Sequence, residues 1–167
     1  MLDYFLTLAR YNQWANARLY AAVGQLDAAA IAAPRVGFFP SLLKTLNHLM
    51  VTDRIWLGRL TATPDAAIKS LDDMPYPDFS DLRAARAALD GRIIEVVGGL
   101  APARLGEVLV YKTMAGQPHE TPMALVLGHL FNHQTHHRGQ AHAMLSGTAV
   151  PPPVLDIIYF LRDTGAA

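Results

Sequence analysis

A length of 167 residues suits one domain, on the usual range of about 100–200 residues, and a hydrophobic share of 51% is enough to build a core. Fourteen basic side chains balance fourteen acidic ones. That balance excludes a generic phosphate-backbone binder, which needs a basic excess, and equally a solvated acidic or disordered chain. The absence of cysteine removes disulfides, thiolate metal sites and a cysteine nucleophile together, and it fits a reducing compartment. The start, MLDYFLTLARYNQW, has no basic region ahead of an apolar one, so a secretory leader is not expected. No run approaches 18 uncharged apolar residues, so no membrane span is expected either. The expectation is a soluble, cytoplasmic domain covering residues 1–167.

In chain order, residues 3–24 predict a first helix, with Phe5, Leu8, Asn12, Ala15, Leu19 and Ala22 at helical spacing and no intervening proline. Ala28–Pro40 reads as the break after it, through Pro34, Gly37 and Pro40. Ser41 is the expected N-cap of a second helix reaching Leu60, whose ladder Leu42, Leu46, Leu49, Trp56 and Leu60 has Asp53 in its open slot. Such spacing belongs to helices packed side by side. Residues 61–79, with Pro64, Pro75 and Pro77, read as a long crossover, which weakens the case for simple up-and-down connectivity.

A third helix is predicted from Ser80 to Val97, stopped by Gly98-Gly99. Between 106 and 120, alternation at Val108 and Val110 and the turn-forming Met114-Ala115-Gly116-Gln117 point to a short β-hairpin. Thr121 as N-cap and Pro122 at the first helical position predict a fourth helix to Ser146, with Gly147 as its C-cap. Pro151-Pro152-Pro153 precedes a final short helix over Val154–Arg162. The fold class expected is all-α: a four-helix bundle with a short C-terminal helix and a small hairpin between helices three and four.

Five of the seven histidines lie in the fourth predicted helix: His129, His133, His136, His137 and His142. At roughly 100° per residue with His133 as zero, His137 falls near +40°, His129 near −40° and His136 near −60°. Val126, Gln140 and Met144 share that side, whereas His142 and Phe131 lie opposite. Four imidazoles among apolar neighbours are therefore expected to look into the bundle. A lone helical histidine is ordinarily a surface or hydrogen-bonded core residue. Burying several neutral imidazoles without partners costs about 1–3 kcal/mol each, which a divalent cation offsets. Two imidazoles at i and i+4 can share one ion, and the pair His133 and His137 is preferred to His129 and His133.

Another element must supply a third ligand. His48 on the second helix is the stronger candidate and His119 in the hairpin the weaker one. The helical wheel sets His48 about 120° from the centre of the Leu42–Leu60 ladder, beside Thr45, Thr52 and Ile55, so a core-filling or capping role stays open for it. A zincin is excluded, because no Glu follows either leading His, and a di-iron carboxylate bundle is excluded for want of Glu-x-x-His. All-histidine ligation points to one transition metal, zinc or nickel first, then iron or copper, and not to magnesium or calcium.

Asn132-His133-Gln134-Thr135-His136-His137-Arg138-Gly139-Gln140 resembles the signature near the C-terminal end of the DinB family, a group of DinB/YfiT-like metalloenzymes. Tyr11-Asn12-Gln13-Trp14-Ala15-Asn16, and Leu46-Asn47-His48 through Asp53 to Trp56-Leu57, are similar to its first two helices. The resemblance implies a four-helix bundle, usually a homodimer, with a divalent metal held by His48, His133 and His137. It leaves His129 and His136 as pocket or supporting residues. Some relatives in the wider superfamily are similar to thiol-dependent transferases and isomerases, which implies a small-molecule substrate and a low-molecular-weight thiol as partner.

Three neutral imidazoles leave an ion its full charge and an open position, the catalytic type of site. Two functions follow. The first is a metal-dependent enzyme that transfers a small-molecule thiol to an electrophile or hydrolyses a small substrate. The second is a non-catalytic metal-binding, stress-response protein; a haem-binding bundle ranks a distant third. No residue stands out as the general base. Asp53 is read as orienting His48 or a neighbouring polar group, or as pairing with Arg10, Arg18 or another residue of the first helix. Tyr11 and Trp14 are read as core before pocket wall. Arg138 joins Leu127, Phe131, His142 and Leu145 in a second stripe, buried by another helix or a dimer partner.

Overall fold

Uninterrupted runs free of proline become the long helices of the computed structural model, which describes residues 1–165. They are α1 (Leu2–Val23), α3 (Leu42–Leu60), α4 (Phe79–Gly98) and α5 (Met123–Ser146). Shorter elements are α2 (Ala28–Ala32), the hairpin strands β1 (Val108–Lys112) and β2 (Pro118–Pro122), and α6 (Ile157–Thr164). The expected class is thus found, hairpin and terminal helix included. No helix among the described residues is long and apolar enough to cross a membrane.

Local chemistry sets most boundaries. The Ser41 hydroxyl accepts from the Lys44 N–H at 3.1 Å, the expected cap of α3. Asp78 caps α4 through the N–H groups of Ser80 and Asp81, so that helix starts one residue before the expected Ser80. Two expectations are corrected. Ala28–Pro40 is not wholly a break, because Asp27 accepts from the Ala30 N–H at 2.7 Å and nucleates the single turn and a half of α2. Thr121 does not cap α5. It pairs with Leu109 in the hairpin, strand runs straight into helix, and the Met123 N–H donates to the Glu107 carbonyl at 2.9 Å. The last helix also starts later than Val154, at Ile157.

Buried residues arrange the bundle in layers. One apolar core contains Leu19, Val23, Leu42, Leu46, Leu82 and Leu145. A second contains Phe5, Leu57, Ile93, Met123, Leu127 and Phe131. Between them, each long helix contributes polar side chains to a buried middle layer: Asn12 and Asn16, Asp53, Arg86 and Asp90, Gln134 and Arg138. Reading the cores along each helix gives the directions. α1 and α5 run from the second core to the first, while α3 and α4 run the other way.

α3 and α4 are therefore parallel neighbours, and the chain between them must return the length of the bundle. That requirement accounts for the crossover over 61–78. It runs back along α3, with Asp65 on Arg54, the Leu71 carbonyl at His48, and Tyr76 held by Asn47 through both backbone groups. α1 packs on α4 and α5, and α3 on α5 and α4, so simple up-and-down order does not hold.

Candidate metal centre

His48 leaves α3, and His133 and His137 leave successive turns of α5, on facing sides of the α3–α5 contact. The flank position of His48 is what aims it across: small Thr45 and Thr52 lie beside it, and the groove between the helices is left free for the imidazoles. One ring nitrogen from each of the three lies within 4.8 Å of the other two. His48 Nε2 and His133 Nε2 are 3.3 Å apart, and ring centroids of His137 are 4.5 Å from His48 and 4.4 Å from His133. Among the described residues no other His, Asp or Glu completes this group.

The supporting contacts decide which nitrogen is free. His48 Nδ1 is 2.8 Å from the Leu71 carbonyl and His137 Nδ1 is 2.7 Å from Gln140 Oε1. A carbonyl oxygen only accepts, so both Nδ1 atoms carry the proton and both Nε2 atoms keep a lone pair. This is the outer arrangement that orients imidazole ligands in metalloproteins. Burial pushes His133 down to about 3, reinforced by the neighbouring His137 and His48. Burial likewise lowers His48 and His137. At neutral pH the group is three neutral nitrogen bases facing one point, a donor set suited to a borderline transition-metal ion.

The other sequence candidates are placed differently. His129 and His136 are exposed, which corrects the expectation that all four imidazoles face inward. His129 packs edge-on against Trp56 with centroids 5.0 Å apart. His136 accepts from Gln140 Nε2 at 3.2 Å, so Gln140 links it to His137. His119 is exposed on β2, stacked on Tyr111, and takes no part in the group. His142 faces away, as the wheel predicts, and donates from Nε2 to the Pro153 carbonyl at 3.0 Å.

Of the expected roles of Asp53, holding a neighbouring polar group is the one found; it does not orient His48 or pair with Arg10 or Arg18. Its Oδ2 accepts from Arg86 at 2.7 Å and from Gln134 at 2.5 Å. The helix-one partners belong instead to Asp90, which accepts from Asn12 and Asn16, and to Arg138, which donates to both. Arg138 is thus buried by another helix of its own chain, within the stripe the sequence indicated. Tyr11 and Trp14 pack on Phe160 of α6 and do not wall the histidine site.

Several contributors escaped sequence reasoning. Phe39 stacks on the His48 ring at 4.1 Å, and Leu71 offers a backbone carbonyl whose identity no side chain advertises. Gln140 did carry a signal, standing three residues after His137 on the same face.

Two open cavities flank the imidazoles. One, of about 520 Å³, includes Phe38, Phe39, Lys44, Asp72, His48 and His137 in its wall. The other, of about 440 Å³, includes Thr52, Trp56, Arg59, Tyr111, His129 and His133. His48 and Leu71 border both. Small molecules can thus reach the three nitrogens from two sides.

Known proteins resemble the chain in sequence and in fold. The chain is 24% identical to the protein DinB of Bacillus subtilis (strain 168) over 174 residues, covering 100% of each. Its fold is similar to the crystal structure of a DinB-like protein from Bacillus cereus ATCC 10987, with a TM-score of 0.68 at 16% identity over 90% of this chain and 94% of that one. The profile of the DinB family matches residues 1–165, which takes in the polar layer, the crossover and all three converging histidines. With that match over nearly its whole length, the chain belongs to the DinB family.

Proposed function

We propose that the chain is a metal-dependent enzyme in which His48, His133 and His137 hold one divalent transition metal, zinc or nickel before iron. Its proposed reaction is transfer of a small-molecule thiol to an electrophile, or hydrolysis of a small substrate. The single observation that carries the reading is the convergence of three neutral imidazoles, two of them with Nδ1 held by a carbonyl, on a point open to two cavities. A divalent ion bound there supplies positive charge that lowers the pKa of a thiol or a water. The chain's own residues do the rest. Leu71 and Gln140 hold the imidazole orientations, Phe39 covers one face of His48, and the two cavities give separate approaches for two reactants.

A second reading is a non-catalytic metal-binding, stress-response protein. What favours it is that Asp53, the buried carboxylate of α3, is held by Arg86 and Gln134 and so supplies no general base. The proposal also carries a cytoplasmic location and a homodimer, the latter checked by light scattering on the purified protein.

The first test is metal content by mass spectrometry on untagged protein beside a His133→Ala, His137→Ala variant. About one equivalent of a transition metal, lost in the variant, supports the site. No metal in either protein after reconstitution overturns it. With metal bound, turnover against a panel of thiols, epoxides and activated esters favours the enzyme; no turnover and no response of the metal spectrum to any thiol favours the second reading.

A further inference from the structure

Half-buried arginines ordinarily face a carboxylate, because a desolvated cation without a partner is costly. Arg59 on α3 has none among the described residues. Its guanidinium lies 4.4 Å from the Trp56 ring centre and 4.6 Å from that of Tyr111, and Nη2 donates to the Lys112 carbonyl at 2.9 Å. Aromatic contacts cover the faces of a guanidinium and leave its in-plane N–H edges for an acceptor. The Lys112 carbonyl takes one of those edges; Arg59 borders the second cavity and also a neighbouring one, whose Asp65 is already paired with Arg54.

The second cavity has no Asp or Glu in its wall. The cavity on the other side of the histidines differs, since its Lys44 is accompanied by Asp72. Arg59 therefore sets a lone positive charge in one of the two approaches. A chain of rings leads from it to the centre: Trp56 lies 5.0 Å from His129, and His129 lies 5.6 Å from His133.

We infer that the second cavity is a carboxylate subsite, in which Arg59 binds the carboxylate of a small acid whose opposite end reaches His48, His133 and His137. This rests on the proposed metal-dependent reading for the role of the far end, and names the substrate class for that cavity: a short thiol or other ligating group carrying a carboxylate. Trp56 and Tyr111 hold the guanidinium in place and line the apolar stretch between the two ends. Arg59 is a specificity-determining residue that acts on the substrate at a distance from the reacting atoms.

The test uses Trp56 as reporter. In a Trp14→Phe background Trp56 is the sole indole of the chain. Its emission is titrated with 6-mercaptohexanoate, hexanoate and the neutral 6-mercaptohexan-1-ol, on metal-loaded and on chelator-stripped protein. Both acids are expected to perturb Trp56 in either state. Arg59→Met is expected to weaken both by about tenfold or more, the scale of a hydrogen bond to a charged group, while the neutral thiol stays within about twofold. Arg59→Lys keeps the charge but loses the planar fork and the stacking, and is expected to weaken the acids less than Arg59→Met does.

Equal weakening of the acids and the alcohol would assign Arg59 to holding the hairpin, and unchanged acid binding would remove its role outright; either overturns the subsite. Displacement of hexanoate by inorganic phosphate more effectively than by chloride would overturn the carboxylate assignment. Arg59-dependent hexanoate binding in a protein that takes up no metal would sink the metal reading alone and leave the subsite standing.

Discussion

Arg86→Met removes the one cation that lies between two carboxylates in the middle layer. The Arg86 and Asp53 side chains are 2% and 1% exposed, and Arg86 lies 2.7 Å from Asp53 Oδ2 and 2.8 Å from Asp90 Oδ1. With Arg138, the layer holds two cations and two anions and is neutral. The substitution leaves one buried negative charge uncompensated, and breaking such a pair from one side costs about 3–5 kcal/mol. With a urea dependence of about 2 kcal/mol per molar, the midpoint is expected to fall by about 1.5–2.5 M.

Asp53→Asn errs in the other direction, leaving one net positive charge. Combining the two restores neutrality, so the double variant is expected to be more stable than the two single losses added together, by about 1–3 kcal/mol. The assay is urea unfolding followed by circular dichroism on all four proteins. A cost below about 1 kcal/mol for Arg86→Met, or strict additivity in the cycle, would refute the charge-balance account. The consequence reaches the site, because Asp53 and Gln134 lock α3 to α5 one residue away from His133.

Three further outcomes are expected. Gln140→Leu removes the acceptor on His137 Nδ1 and is expected to weaken zinc binding by about 10–100-fold in competition with a chromophoric chelator; unchanged affinity would show that the contact orients nothing. In chelator-treated protein, the lowered His48, His133 and His137 mean that protons prefer the unfolded chain, whose imidazoles titrate near 6.5. Stability is therefore fully present above that pH and declines as pH falls from 6.5 towards about 3, and a melting temperature unchanged between pH 7.5 and 5 would count against it. The Arg18–Asp163 pair is 44% and 42% exposed, so Asp163→Asn is expected to cost less than about 1 kcal/mol by thermal unfolding in 0.15 M salt.

Periodicity made the four long helices legible because each must hide an apolar stripe, and the stripe repeats with the turn of the helix. Ser41, Gly147 and the hairpin's Gly116, at φ +80°, could be read because each acts within a few residues of itself. The start of α5 could not. Thr121-Pro122 has the local chemistry of a helix cap, and pairing with Leu109, more than ten residues earlier, overrides it.

At the candidate site, sequence alone determined which imidazoles share a face of α5 and, through the family signature, that His48 joins them. Helical geometry within one segment suffices for the first. Tertiary structure decided the remainder: the direction in which His48 crosses the groove, the Leu71 carbonyl that fixes its tautomer, and the exposure of His129 and His136 at the rim. It also decided that Asp53 belongs to Arg86 and that Arg59 has no acid beside it. Each of these depends on which elements meet, and that meeting follows from the return of the crossover along α3, a path set by the packing of two parallel helices.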